Sequence, residues 1–333
     1  MGIAFNFEIV AQSARTHARV GRLYTAHGVI ETPAFMPIGT QASVKTLSQE
    51  ELESLGYRLI LANTYHLYLR PGAERIARLG GLHAFMSWRG AILTDSGGYQ
   101  VFSLAPLRQI DEEGVTFRSH IDGSLHRLTP ERAVEVQRLL GSDIMMTLDE
   151  CPPYPVEYDV VAQAVERTYR WAIRCKQAWQ ESLPAASEGA LFGIVQGGVY
   201  EELRRMSLEQ ITSLDLPGYA IGGVSVGEPV ELMRAVVEFT APRLPAHRPR
   251  YLMGVGTPDD IRHAVAWGVD MFDCVLPTRL GRHGAVFTSR DRLNLRNARF
   301  AECKEPIDPE CDCAVCQRYS LAYIHHLFRA GEM

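Results

Sequence analysis

The sequence predicts a (β/α)8 barrel, and three observations support this prediction. Eight short apolar runs recur along the chain, and apolar residues at helical spacing follow most of them. The runs are almost continuously apolar rather than alternating, which is typical of parallel strands that are covered on both faces. Eight such units in about 250 residues match the size of this barrel. A doubly wound open sheet shows the same alternation, so it remains the second fold hypothesis.

The predicted strands and helix starts follow in chain order. The strands are 34–38, 58–62, 91–94, 143–148, 190–195, 219–221, 250–254 and 270–274. Ser48 and Glu51 have the spacing of a capping box, which predicts a helix start there. Thr129 and Thr257 each precede a proline at the first helical position, and both are expected N-caps. Residues 320–329 resume a helical pattern at the end of the chain.

Two stretches interrupt the alternation. Residues 108–128 are predicted to be an insertion with a hairpin around 120–123. Residues 284–316 follow the eighth strand, with a hairpin at 285–299 and then three cysteines. The predicted domains are therefore 1–283, a catalytic barrel with an N-terminal extension, 284–319, a zinc-binding insertion, and 320–333. We expect the last segment to be the start of the closing barrel helix, truncated at Met333.

Composition narrows the class of protein. With 46% hydrophobic residues, the 333-residue chain is neither disordered nor a disulfide-held miniprotein. No apolar run reaches the ~18 residues that a membrane span requires, and the first residues lack the pattern of a signal peptide. We therefore expect a cytoplasmic protein whose cysteines are thiols or metal ligands. The net charge of −5 argues only weakly against nucleic acid, because a local basic patch is sufficient for binding.

Polar residues follow several of the predicted strands. Asp95, Asp149 and Asp273 stand at the ends of the third, fourth and eighth strands, and Gln196 follows the fifth. Because the sites of parallel barrels form at the C-terminal ends of their strands, these side chains are expected to converge. Each of these residues could instead have an ordinary structural role: a helix N-cap, part of a turn, or, for Asp273, an ion pair with Arg279. Paired carboxylates suit cleavage of a glycosidic bond, and an Asp with a Gln can read a purine edge.

Three cysteines are candidate metal ligands. Cys311, Cys313 and Cys316 place three soft ligands within six residues, which in a cytosolic protein predicts one structural Zn²⁺ per chain. A closed structural site needs a fourth ligand. Cys303, His325 and His326 are the candidates that the sequence offers.

Six motifs resemble those of the tRNA-guanine transglycosylases. They are TDSGGYQVFSLA (94–105), DECPPYP (149–155), GIVQGG (193–198), GYAIGGVSVGE (218–228), YLMGVGTP (251–258) and FDCVLPTRLGRHG (272–284). The resemblance implies a TIM-barrel enzyme of queuosine biosynthesis, acting as a cytoplasmic homodimer. It would exchange guanine at the wobble position of tRNAs with GUN anticodons for a 7-deazaguanine base. The resemblance also places the fourth zinc ligand on a histidine beyond Met333.

The resemblance also implies roles for individual residues. Asp273 would be the nucleophile and Asp95 the general acid/base, while Tyr99 and Met253 would sandwich the base. The other residues implied to bind the base are Ser96, Gly97, Gly98, Asp149, Cys151, Gln196, Gly222, Gly223 and Val224. Those implied to bind RNA are Lys45, Gly254, Val255, Gly256, Thr257, Pro258, Asp259, Asp260, Thr278, Arg279, Leu280, Gly281 and Arg282. We expect 278–283 to be a compact basic loop, and Arg290, Arg292, Arg296 and Arg299 to contact phosphates or form a solvated hairpin face.

The sequence leaves open which base the enzyme would insert, and it leaves two other functions possible. Cys151 and Val226 match the bacterial members of the resembled family, which favours the small base 7-aminomethyl-7-deazaguanine (preQ1); the alternative is that Val226 only packs. A glycoside or nucleoside hydrolase would use the same carboxylates without needing Arg279, Arg282 or a zinc module. A non-catalytic RNA-binding subunit would be expected to lack Asp95 or Asp273, and both are present.

Overall fold

The computed structural model describes residues 5–104, 108–181 and 189–332. The chain divides into two compact units, Met1–Cys274 and Val275–Met333. Among the helices of the described ranges, none is both long enough and apolar enough to cross a membrane.

The first unit alternates strands and helices along most of its length. Its elements are β1 Asn6–Gln12, β2 Arg19–Thr25, β3 Gly28–Thr32, β4 Ala34–Met36, α1 Gln49–Ser54, β5 Leu59–Ala62, α2 Thr64–Leu69, α3 Ala73–Arg78, α4 Gly81–Met86, β6 Ala91–Thr94, α5 Gly98–Leu104, β7 Arg108–Asp111, β8 Gly114–Arg118, β9 Leu125–Leu128, α6 Pro130–Leu140, β10 Ile144–Met146, α7 Tyr158–Glu181, β11 Ala190–Val195, α8 Glu201–Thr212, β12 Gly218–Ile221, α9 Val230–Thr240, β13 Arg250–Leu252, α10 Pro258–Ala266 and β14 Met271–Asp273.

Eight of these strands form a nearly closed parallel barrel. The order around it is β4-β14-β13-β12-β11-β10-β6-β5, and a bridge between Ile38 and Leu61 joins its two ends. This confirms the predicted barrel and excludes the doubly wound open sheet. All eight predicted strands are present, most of them shorter than predicted. Strands such as β5 and β6 are buried at every position, as their continuous apolar runs indicate.

Strand residues alternate between two apolar clusters. Leu61, Leu93 and Met146 belong to the cluster that fills the barrel, while Met145 belongs to a larger cluster that includes residues of the surrounding helices. The barrel cluster also contains Leu23 of β2 and Ile30 of β3. The antiparallel sheet β1-β2-β3 therefore packs on the barrel interior, where the sequence predicted only an N-terminal extension.

The predicted helix starts and the inserted hairpin are confirmed. Ser48 and Glu51 form the capping box of α1, and the hydroxyls of Thr129 and Thr257 cap α6 and α10. The insertion folds as the antiparallel sheet β7-β8-β9, with the backbone N–H of Gly123 donating to Ser119 in the hairpin turn.

The second unit is small and has its own core. It contains α11 Leu276–Arg282, β15 Ala285–Phe287, β16 Arg292–Asn294, α12 Ala314–Arg318 and α13 Leu321–Ala330. Strands β15 and β16 form the expected hairpin, and α13 begins after Ser320, whose hydroxyl accepts from the N–H of Tyr323. The expectation of a compact basic loop at 278–283 is wrong, because these residues up to Arg282 lie in helix α11. The core packs Leu295, Phe300, Leu321, Ile324 and Phe328 together.

Candidate active site

Three buried aspartates meet at the C-terminal end of the barrel strands. Asp95 follows β6, Asp149 comes three residues after β10, and Asp273 is the last residue of β14. All three are more than nine-tenths buried. The charge of Asp273 raises the pKa of Asp95, and the charge of Asp95 raises the pKa of Asp149. The three carboxylates lie at the same end of one parallel barrel, and the hydroxyl of Ser96, next to Asp95, donates to Asp149.

The Asp273 carboxylate is held through one oxygen. The hydroxyl of Tyr251 donates to its Oδ1 at 2.6 Å, and the backbone N–H of Gly254 donates to the same atom at 2.8 Å. Burial raises the pKa of Asp273, while these two hydrogen bonds oppose the rise. Burial beside Asp273 also holds the pKa of Tyr251 well above its ordinary value, so its hydroxyl stays a donor.

Asp95 has the electrostatics of a group that exchanges protons near neutral pH. Burial raises its pKa to about 6, although hydrogen bonds from Asn63 and from the backbone of Thr64 favour the charged form. The Thr64 N–H lies 2.8 Å from Oδ1, and the Asn63 amide donates to Oδ2. A carboxyl group with a pKa close to the working pH can both give and accept a proton.

Asp149 and Gln196 form a polar pair on the neighbouring strands. Nε2 of Gln196 donates to Oδ2 of Asp149 at 2.6 Å, and the Ser96 hydroxyl donates to Oδ1 at 3.3 Å. Burial raises the pKa of Asp149 to about 6. Oε1 of Gln196 is buried and has no hydrogen-bond partner among the described residues. An orphaned acceptor beside a carboxylate is suited to a ligand edge that carries several N–H donors.

Glycines bring the backbone close to this pair. A Cβ atom on Gly223 would lie 2.3 Å from Oε1 of Gln196, and one on Gly222 would lie 3.0 Å from its Nε2. Gly223 also has a φ of 64°, in the left-handed region that glycine adopts without strain. On the opposite side, a Cβ on Gly98 would lie 2.9 Å from the carbonyl oxygen of Asp149. The site therefore leaves no room for side chains at these positions.

Arg204 supports this wall, a role that was not predicted from the sequence. Its guanidinium is almost fully buried on α8 and donates to the carbonyls of Val195 and Gly198 at the end of β11. It also donates to the carbonyls of Gly222 and Gly223, at 2.7 and 3.1 Å. Burial lowers its pKa to about 10, so it remains charged at neutral pH. One cation thus fixes the ends of two strands that line the site.

The other residues implied to bind the base differ in their burial and in their neighbours. Burial raises the pKa of the Cys151 thiol to about 12, and the charge of Asp149 adds to the rise. The side chain of Val224 is buried in the main apolar cluster. Met253 lies beside Gly222, while Tyr99 on α5 is half exposed. Gly97 adopts a left-handed conformation with a φ of 82°. The stacking of a base between Tyr99 and Met253 stays a prediction.

The residues implied to contact RNA in the first unit lie near the strand ends. Lys45 is exposed. Residues 254–257 connect β13 to α10, residues 258–260 form the first turn of α10, and the Ser225 hydroxyl donates to the carbonyl of Gly254 at 2.9 Å. Asp259 and Asp260 are paired with Arg262 and Arg234. These ion pairs offset the negative charge that would otherwise repel a phosphate backbone.

The three cysteines of the second unit fit a metal ion. The sulfur atoms of Cys311, Cys313 and Cys316 all lie within 4.8 Å of one another. Thiolates are preferred zinc ligands, so the donor set suits this ion. Within the described ranges, this group does not include the candidate fourth ligands Cys303, His325 and His326. His325 is buried and its Nδ1 lies 2.8 Å from the Leu295 carbonyl, while Cys303 packs on the apolar core.

Replacing Asp149 by asparagine should stabilise the protein at neutral pH. Its folded pKa of about 6 lies above the ordinary 3.8, so burying the charge disfavours folding by up to about 3 kcal/mol above pH 6. The introduced amide can keep both hydrogen bonds, accepting from Gln196 and donating to Ser96. We expect Asp149→Asn to unfold at higher urea concentration than wild type at pH 7.5.

The stability difference between Asp149→Asn and wild type should change with pH in one direction. The stability of wild type relative to the variant is greatest below the unfolded pKa and is lost as pH rises through the folded pKa. The advantage of Asp149→Asn should therefore shrink between pH 6 and pH 4. Asp215→Asn, at an exposed carboxylate, is the control and should show no such trend. An advantage for Asp149→Asn that does not change with pH would contradict the assignment of the effect to a buried charge.

Comparison with known proteins places this barrel in a family. The family model described as queuine tRNA-ribosyltransferase matches residues 13–333. Proteins named queuine tRNA-ribosyltransferase from Desulforudis audaxviator and Halothermothrix orenii are 59% and 56% identical to the chain, over 100% of its length and 88% and 87% of theirs. A protein of the same name from Geobacillus kaustophilus is 56% identical over 100% of the chain and 86% of its own length. The chain belongs to the queuine tRNA-ribosyltransferase family of glycosyltransferases.

Proposed function

We propose that this enzyme exchanges guanine at the wobble position of GUN-anticodon tRNAs for preQ1, a step of queuosine biosynthesis. The observation that carries the proposal is the pairing of two buried aspartates, Asp95 and Asp273, with the orphaned acceptor of Gln196 beside Asp149. The first pair suits cleavage of a glycosidic bond, and the second suits recognition of a purine. Family membership and the names of the relatives support the same activity.

The proposed reaction is a double displacement at the ribose. Asp273 attacks C1′ while the bond to N9 of guanine breaks, and the electron pair stays on the base. Asp95 gives its proton to the departing guanine. The incoming base then attacks C1′, its proton passes to Asp95, and the ester bond to Asp273 breaks. Two inversions give overall retention and ping-pong kinetics.

The proposed recognition of the base depends on hydrogen-bond acceptors in the site. Guanine and preQ1 share an edge with a ring N–H and an exocyclic amine, and both are donors. The Asp149 carboxylate and Oε1 of Gln196 are acceptors that this edge would satisfy. The backbone of Gly222 and Gly223, fixed by Arg204, completes this wall.

The same proposal covers the metal, the RNA contacts and the assembly. Cys311, Cys313 and Cys316 would hold a structural Zn²⁺, which stabilises the fold around it when bound. Lys45, Arg279 and Arg282 would meet phosphates of the anticodon stem-loop, since RNA affinity comes largely from such contacts. We propose a cytoplasmic homodimer, as the resemblance implies.

Base selection should depend on Val226. This side chain is partly buried and lines a cavity of about 20 Å³ with Gln196 and Gly223. The volume of the Val226 side chain beside Gln196 and Gly223 favours preQ1 over queuine, which carries a bulky cyclopentene-diol. We expect Val226→Gly to raise kcat/KM for queuine relative to preQ1 by about 10-fold, the scale of one or two methylene contacts. The measurement is incorporation of each base into tRNA, with Val10→Ala, at an exposed position of β1, as a control. Equal use of both bases by wild type would contradict the preQ1 assignment.

Guanine exchange tests the whole proposal. Unmodified tRNA with a GUN anticodon is incubated with the enzyme and radiolabelled guanine, and label in the tRNA is counted. Entry of label supports the transglycosylase. Release of guanine without entry would instead indicate a nucleoside hydrolase, and tRNA binding without either would indicate a non-catalytic RNA-binding subunit.

A further inference from the structure

Two histidines and an aspartate meet at the end of the barrel opposite the three carboxylates. His27 lies in the turn between β2 and β3, His83 lies on α4, and Asp143 immediately precedes β10. Asp149 lies six residues further along the same segment, at the other end of the strand. At ~3.3 Å per residue the two ends are up to about 20 Å apart. The cluster is therefore separate from the proposed active site.

The carboxylate of Asp143 contacts both imidazole rings. Nδ1 of His27 is 2.8 Å from Oδ1, and Nε2 of His83 is 3.1 Å from Oδ2. The backbone N–H of Ile92 donates to Oδ2 at 2.9 Å and fixes the carboxylate. One ligand atom from each of the three side chains lies within 4.8 Å of the others.

We propose that His27, His83 and Asp143 form a second metal site, for a divalent transition ion of the zinc type. Two imidazole nitrogens and one carboxylate oxygen are a ligand set that zinc uses in sites with an open position. Ligands at ~2.1 Å from one ion lie about 3.0–3.4 Å from each other, close to the spacing in this cluster. The set carries one negative charge against the two positive charges of the ion.

The surroundings leave room for the remaining ligands. A cavity of about 440 Å³ adjoins the cluster and is lined in part by Gly80, Gly81 and Gly141. Water can enter it and complete the coordination.

Metal binding requires a small movement of one ring. The two imidazole rings are stacked, with centroids 3.5 Å apart and planes at 11°. Two ring nitrogens can direct their lone pairs at one ion only when the ring planes are tilted away from each other. The Asp143 side chain is 2% exposed and that of His83 13%, but His27 is 37% exposed. His27 therefore has space to turn toward the ion while the other two ligands stay fixed.

Zinc stoichiometry tests this site independently of activity. Metal-free protein is equilibrated with excess Zn²⁺, passed through a desalting column and analysed for zinc per chain, and affinity is measured by calorimetry. The variants are His83→Asn and His27→Asn, and the latter changes a turn residue whose side chain is 37% exposed. Cys313→Ala removes a ligand of the cysteine cluster, and His247→Asn is the control for an exposed histidine outside both groups.

The expected result is one zinc fewer in each ligand variant than in wild type. His83→Asn and His27→Asn should lose the site, with affinity lower by about 100-fold or more. His247→Asn should match wild type, and Cys313→Ala should keep the zinc that the two histidines bind. Equal zinc content and affinity in wild type, His83→Asn and His27→Asn would overturn the proposal and leave the cluster as a hydrogen-bonded contact between the N-terminal sheet and the barrel.

Discussion

Asp273→Asn is expected to abolish guanine exchange while tRNA binding survives. An amide cannot form the ester with C1′, so the reaction loses its nucleophile, and the rate should fall by about 10⁴-fold or more. The substitution keeps an oxygen that can accept from Tyr251 and Gly254, so the site should stay folded. The measurement is incorporation of radiolabelled guanine into tRNA.

A covalent complex provides the second readout of this experiment. Wild type mixed with tRNA should give a band that survives SDS, because the ribose is held by an ester, and Asp273→Asn should give none. Asp270→Asn is not a suitable control, because Asp270 forms a buried ion pair with Arg19. Asp215→Asn, at an exposed position, should exchange guanine as wild type does. Substantial exchange by Asp273→Asn would remove this residue from the mechanism.

Asp95→Asn is expected to slow exchange by about 10²–10⁴-fold, the usual contribution of a general acid. The introduced amide has no proton to give to the departing guanine. It can still accept one of the two hydrogen bonds that Asn63 and Thr64 donate, so the position stays polar and occupied. The first half-reaction should suffer most, and the measurement is the single-turnover rate at which guanine leaves the tRNA.

The pH profile separates proton transfer from a loss of structure. The pKa of about 6 means that Asp95 carries its proton below pH 6 and loses it above. In wild type, kcat/KM for tRNA should therefore decline about tenfold per pH unit above pH 6. In Asp95→Asn that decline should disappear. A variant that keeps the wild-type profile at a lower rate would show that Asp95 does not supply the proton.

The barrel could be predicted because its strands have a strong local signal. Residues 59–62 and 91–94 are buried on both faces, so their runs are apolar without interruption. Strand β1 lacks this signal, because six of its seven residues are exposed. Its conformation is fixed by antiparallel pairing with β2. Helix α11 was missed because Pro277 and Gly281 in its short sequence are typical of turns.

Only part of the candidate site could be predicted from the sequence. Asp95, Asp149 and Asp273 could be placed because the ends of parallel strands are common locations of barrel sites. Arg204 could not, since an arginine on a helix is normally solvated; its only signal is that Ser207, Leu208 and Ile211 are buried on the same helix. His27, His83 and Asp143 come from distant segments, and only the packing of the N-terminal sheet on the barrel brings them together.

In the proposed reaction, the two hydrogen bonds on Oδ1 of Asp273 would influence how long the covalent adduct lives. Among the described residues, both donors to this carboxylate bind that one atom, so Oδ2 would be the oxygen that bonds to the ribose. After the bond forms, Oδ1 is the acyl oxygen and still accepts both hydrogen bonds, which withdraw electron density from the ester. Asp273 thereby becomes a better leaving group and a weaker attacker. The arrangement favours a short-lived adduct and rapid turnover at the expense of trapping the tRNA.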